Sequence, residues 1–271
     1  MISKIGAIAV VTFREGIRNR ALLGILAVAI LLGFVYLAFV PLFAFDTGKV
    51  ITDLGFASIT LSGLAIVVFM GISLLTRDIH QRSVCLILAR PVSRTTYVIG
   101  KFYGLAATIG IAVLMIAGIA LATGWLGVWL VPEIKAPRHF SFLVLFITVA
   151  FQYLSLLILM AIAFLFTVLT TNEYLSMLFT FCVYVIGHSL ETVVKVMTEG
   201  QFVNADPTHL QLMQILTWVF PNLSAFDLKV HVAYGLILPI QSTLWTLAYG
   251  IFYILLILML TIFSFSRKEI R

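Results

Sequence analysis

The stretch Arg77 to Lys101, RDIHQRSVCLILARPVSRTTYVIGK, holds Arg77, Arg82, Arg90, Arg94 and Lys101 with a single acid, Asp78. Guanidinium and ammonium groups at this density make it the most basic loop in the chain, suited to being gripped by a soluble partner. Arg77 to Ala89 can form a short helix. Pro91 cannot donate to a helical ladder and drives Arg90 out of the helical region. Ser93 can then cap a new helix. The spacing therefore predicts a stiff helical knuckle between two longer elements. Basic loops also occur simply because they fix membrane topology, and charge alone does not separate the two readings.

Other residues suggest other chemistries. His188 and Glu191 are three apart and share a helix face, so they could contribute to a metal site or form a hydrogen-bonded pair. Ser176, Thr180, Tyr184 and His188 are four apart and drift slowly around one side of a helix. Ser58, Ser62 and Ser73 lie near one another on a second helix. Polar groups in a membrane bundle face protein or a cavity, so the two sets outline a substrate path. The competing reading is that each hydroxyl bonds back to the preceding turn of its own helix. A phosphate-cradling Walker loop is absent. Gly48-Lys49 and Gly100-Lys101 each lack the earlier glycine and the following Ser or Thr. No cofactor is expected in this chain, and no HExxH, Ser/His or paired-Asp constellation occurs. Acids that could couple ions are missing from every apolar run except at Glu191.

The elements that must position these residues are set by composition. The 271-residue chain is 62% hydrophobic and 10% charged, with a mean hydropathy of +1.15. A soluble domain carries about 25% charged residues, so the solvent for this chain is lipid. A net charge of +6 is too modest to imply nucleic acid. Cys85 and Cys182 lie in unlike surroundings and read as packing residues rather than a disulfide.

The reading is an all-α membrane protein forming one domain. Residues 1–20 alternate charged and apolar faces and predict an amphipathic helix in the interface. A signal peptide fits less well, because Arg14, Glu15 and Arg18 interrupt its apolar part. Six transmembrane helices follow at 21–45, 54–76, 102–131, 141–170, 174–195 and 239–265, each near the roughly 20 residues a bilayer requires. Residues 77–101 form the knuckle and 196–233 the largest segment on the other side. Within that segment Asp206-Pro207 starts a short surface helix bearing Leu210, Met213, Leu216 and Val219, closed by Pro221. Val230 to Leu238 is too short to cross and could be re-entrant. With the N-terminus inside, twelve of the seventeen Lys and Arg residues fall on the cytoplasmic side, and both termini are cytoplasmic.

The run LARPVSRTTYVIGKFYG, Leu88 to Gly104, resembles the signature loop of ABC-2 type transporter permeases. Asp78, Arg90, Pro91, Ser93, Arg94, Tyr97, Gly100 and Lys101 match its pattern. FREGIRNR at Phe13 to Arg20 is similar to that family's opening helix, and FSRKEIR to its ending. PNLSAFDLK, Pro221 to Lys229, is similar to a stretch in the branch linked to multicopper-enzyme maturation and gliding. His80 and Gln81 stand where many relatives carry a further acid.

The resemblance implies a permease that pairs with a second copy or a paralogue in a prokaryotic cytoplasmic membrane. Separate P-loop ATPase subunits would bind ATP and Mg. The knuckle would be the coupling helix, with Arg77, Asp78, Arg82, Arg90, Pro91, Arg94, Gly100 and Lys101 at the ATPase contact. Spans two and five would line the path, and export would be the direction. Two alternatives stay open: an ATPase-driven subunit that transmits force without moving cargo, and an ion-coupled carrier.

Overall fold

The computed structural model describes residues 2–39, 47–80, 93–130, 141–170, 172–198, 217 and 219–267. Among these residues the chain is helical throughout, with no strand. Helix α1 spans Ile2–Ile17 and α2 Arg20–Phe39. Helix α3, Thr47–Ala65, runs through a π-helical segment, Ile66–Gly71, into α4, Ile72–His80. Helices α5, Arg94–Leu130, α6, Phe142–Leu169, and α7, Glu173–Thr198, follow. A 3-10 turn at Ser224–Phe226 and a short α8, Lys229–Tyr234, lead to α9, Ile240–Arg267.

Five segments are long and apolar enough to cross a membrane: Lys49–Asp78, Arg94–Leu126, Phe142–Leu169, Glu173–Val193 and Ile240–Arg267. A sixth exists if α1 and α2, bent by 54° at Arg18 and Asn19, count as one span. Asn19 shapes the bend. Its Oδ1 accepts from the Ala21 N–H at 3.0 Å, which satisfies one of the donors left open at the start of α2.

Lipid tails are as apolar as leucine, so burial against water does not drive these helices together, and close packing must. Helix α5 is the hub, touched by α1, α2, α3, α6 and α9. Its first turns meet α1 through glycines. A Cβ on Gly104 would sit 2.6 Å from the Ala9 carbonyl oxygen, and one on Gly100 2.8 Å from Ile8 Cβ. From the other helix, a Cβ on Gly16 would lie 2.6 Å from Thr108 Oγ1. The two backbones thus approach more closely than any larger residue allows.

Polar links tie α6 to its neighbours. Gln152 donates to Thr60 Oγ1 of α3 at 2.9 Å, and Tyr153 donates to the Ala106 carbonyl of α5 at 2.9 Å. Burial then falls off outward. The apolar stretch of Lys49–Asp78 is 72% buried, whereas that of Ile240–Arg267 is 17% buried. Helix α9 accordingly buries a single stripe, Gly250, Ile254, Ile257, Thr261 and Phe265, at helical spacing.

Candidate functional site

Arg77, Arg94, Lys101 and Arg267 gather at one end of the bundle, the basic end. Residues 81–92, with Arg82, Arg90 and Pro91, lie outside the described residues. The two arms that flank them are described. Helix α4 continues the preceding helix through Arg77 and Asp78 to His80. Helix α5 begins at Arg94, eight residues before the apolar run, because Ser93 caps it. Ser93 Oγ accepts from the Thr96 N–H at 3.2 Å and lies 2.7 Å from Thr96 Oγ1.

The arms are joined by a buried ionic cluster. Lys101 Nζ lies 2.5 Å from Asp78 Oδ2 and 3.5 Å from Glu15 Oε2. Tyr97 donates its hydroxyl to Asp78 Oδ2 at 2.7 Å. Lys101 is only 4% exposed and Tyr97 fully buried. A charge this deep is tolerable only when paired and hydrogen-bonded. Lys101 has two carboxylates, and Asp78 has both an ammonium and a hydroxyl. Glu15, at the end of α1, is the less buried member.

A second contact brings in the last helix. Arg94 donates to the Phe265 and Ser266 carbonyls at 2.8 and 2.9 Å. These are among the carbonyls that a helix leaves unsatisfied at its C-terminus, and a cation there also meets the negative end of the helix dipole. The Arg94 guanidinium lies 5.9 Å from the Phe265 ring centroid, and Tyr97 stacks on the same ring at 6.1 Å. Ser73 of α4 donates to Glu173, the first residue of α7. The ends of α1, α4, α5, α7 and α9 are therefore tied within one layer. Asp78, Arg94 and Lys101 bond inside that layer. Gly100 lies against α1, and Arg77 faces an open cleft beside α1.

The hydroxyls proposed for a path divide. Ser73 reaches α7 directly. Ser58 bonds to the Leu54 carbonyl of its own helix at 3.0 Å, and Thr180 to that of Ser176 at 2.8 Å. Ser176 Oγ lies 2.5 Å from Thr170 Oγ1. Ser58 lines a small crevice with Ala29 and Gly33 of α2 and Ile116 and Thr123 of α5. One face of a long helix meets different neighbours at its two ends because the helices cross. Ser62 is buried, and among the described residues its Oγ has no hydrogen-bond partner. Tyr184 and His188 pack ring to ring at 4.6 Å.

At the opposite end, Glu191 accepts from Ser224 Oγ at 2.6 Å, and the Leu223 N–H donates to the Gly187 carbonyl at 3.0 Å. Among the described residues no group of three or more His, Cys, Asp or Glu side chains could hold a metal. Lys229 pairs with Asp227 at 2.8 Å. Partial burial alone would lower its pKa, but the hydrogen bond to Asp227 and the charges of Asp227 and Asp53 raise it.

Sequence reasoning missed Glu15 as a partner of Lys101 and the Gln152–Thr60 bond. A lone Gln in an apolar run of 28 residues was the available signal for the second. The first had none, since sequence separation hides which charge meets which.

No curated protein matches this chain. The sequence model of a family described as ABC-2 family transporter protein matches residues 7–270, essentially the whole chain. With that match and its membrane-spanning helices, the protein is a multi-pass membrane permease that belongs to the ABC-2 family of transporter proteins.

Proposed function

We propose that the chain is the membrane subunit of an ATP-driven ABC-2 exporter, in which a separate P-loop ATPase binds ATP and Mg and acts through residues 77–101. The observation that carries this reading is the buried Glu15–Lys101–Asp78–Tyr97 cluster. It ties both arms of the knuckle to α1, while Arg94 ties the same base to α9. A push on residues 81–92 would then reach four helices as a rigid body, the kind of motion that switches a membrane bundle between states.

In this reading Arg82 and Arg90, both ahead of the break at Pro91, make the ATPase contact. Asp78, Arg94, Gly100 and Lys101 form the base that transmits it. The chain crosses a prokaryotic cytoplasmic membrane six times with both termini inside, counting the bent α1–α2 pair as the entry. A second copy or paralogue completes the transporter. The path runs between spans two and five, where Ser73 meets Glu173 and where, among the described residues, the buried Ser62 Oγ has no hydrogen-bond partner.

The test is a gentle-detergent pull-down of the tagged native protein, with subunits identified and ATP hydrolysis measured. A P-loop ATPase should co-purify, and charge reversal of Arg82 with Arg90 should release it. Arg94 is unsuited to this test, because its reversal would also free the end of α9. An eluate without an ATPase, from a protein active in vesicles only under a proton gradient, would sink the proposal.

A further inference from the structure

The second span is not a regular α-helix. Between α3 and α4 the segment Ile66–Gly71 is π-helical, and the Ile72 N–H at its end donates to the Val67 carbonyl, five residues back instead of four. A π segment carries a residue more than the same length of α-helix. Where the α pattern resumes, one carbonyl must therefore share its N–H donor or go without. Ile72 stands at that point, and its side chain has no donor to offer.

Thr76 stands one turn further on. It is 6% exposed, and among the described residues its Oγ1 has no hydrogen-bond partner. Other hydroxyls of this span bond back to the preceding turn: Ser58 donates to the Leu54 carbonyl and Thr60 to that of Phe56, each four residues back. Were the π segment to move one turn towards the basic end, Thr76 would stand where Ile72 stands now. Its hydroxyl would then reach the Ile72 carbonyl, the one left short in that position. Gly71 eases the move. A Cβ on it would meet nothing nearer than 3.9 Å, so no neighbour requires a glycine there, and its backbone freedom is what distinguishes it.

We propose that the π segment of span two is a sliding joint, at rest over Ile66–Gly71 and able to move one turn into α4, where the Thr76 hydroxyl stabilises it. The residues it passes turn by up to about 100°, the angle of one residue. Ser73 is among them, and it carries the bond to Glu173 that links spans two and five. One position of the joint makes that bond and the other breaks it. The segment is buried within the bundle and touches α2, α5, α6 and α7, so its position is felt by four neighbours. That the joint controls a path rests on the function proposed above; the sliding itself does not.

The test is hydrogen–deuterium exchange of the full-length protein in neutral detergent, read by mass spectrometry over residues 70–76 and, for comparison, over α6. Exchange at 70–76 reports how often the joint slides. Thr76→Val removes the hydroxyl that stabilises the slid position and should slow this exchange about tenfold, whereas Thr76→Ser should stay within about twofold. Ser73→Ala removes a bond made only at rest and should speed it about fivefold. Ser62→Ala removes another buried hydroxyl of the same span, on the far side of the segment, and should change it by less than about twofold. Exchange in α6 should be the same in all four. If Thr76→Val slows α6 equally, the variant only stabilises the whole fold and the inference is overturned. Ser73→Ala without effect at 70–76 overturns it too, as does slowing by Ser62→Ala as large as that by Thr76→Val. If Thr76→Val does not fold, Ser73→Ala decides the matter. No nucleotide or ATPase is present, so a joint that does not slide leaves the pull-down result standing, and a pull-down without an ATPase leaves the joint standing.

Discussion

Lys101 shows what a single residue does when its charge is taken out of water. It is nearly inaccessible and faces two carboxylates. Removing it leaves Asp78 and Glu15 as uncompensated acids, so Lys101→Met should destabilise the fold by about 3 kcal/mol, read as a drop in thermal midpoint in detergent. Glu15→Gln should cost under about 1 kcal/mol, because its side chain is 36% exposed and water screens the pair. Equal effects of the two variants would mean the cluster does not hold the layer together. Lys229 offers a pH test at the other end. Its pKa is raised on folding, so its contribution is complete below the ordinary lysine range and is lost as pH rises through the raised value. Stability should fall more steeply above about pH 10.5 in the native protein than in Lys229→Met. The charged residues of the base were legible in the sequence as charge. Their direction was not: Arg94 and Lys101 point into the protein, which only tertiary packing decides.

At the scale of elements, the joint between α1 and α5 depends on side chains that are absent. Gly104→Val would place a methine 2.6 Å from a backbone carbonyl, which cannot rotate away as a side chain can, so α1 must move. We expect a loss of about 1–3 kcal/mol and weaker protection of α1 from proteolysis. Gly118→Ala, in the same helix with no atom within 4 Å, should change stability by less than about 0.5 kcal/mol. If both variants behave alike, the close approach is not what seats α1. The long helices were legible because each fills a run of apolar residues. The early start of α5 was legible too, from Ser93. The π-helical segment Ile66–Gly71 was not, since nothing in IVVFMG differs from an ordinary apolar turn. Its π geometry changes the helical phase between Ser62 and Ser73, so a regular wheel cannot place both.

Across the described residues, burial is greatest in the second span and least in the last two, leaving α7 and α9 with broad apolar faces. Composition made the membrane legible, but which faces meet lipid and which meet another chain is a property of the assembly. Cys182 lies exposed on α7 and reports on the proposed pairing. In a Cys85→Ser background, mild oxidation of native membranes should give a disulfide-linked dimer that Cys182→Ser abolishes. A product that stays monomeric under conditions that oxidise the thiol would place α7 away from the two-fold axis. The bond from Arg94 to Phe265 and Ser266 spans some 171 residues of chain, and this separation has a consequence during synthesis. A ribosome adding about 5–20 residues per second needs roughly ten to thirty seconds to make the carbonyls that Arg94 will hold. Until then the base lacks its last strut, although α1, α4 and α5 already exist. A nascent chain that has not yet reached Phe265 and Ser266 therefore lacks the contact by which Arg94 ties the base to α9.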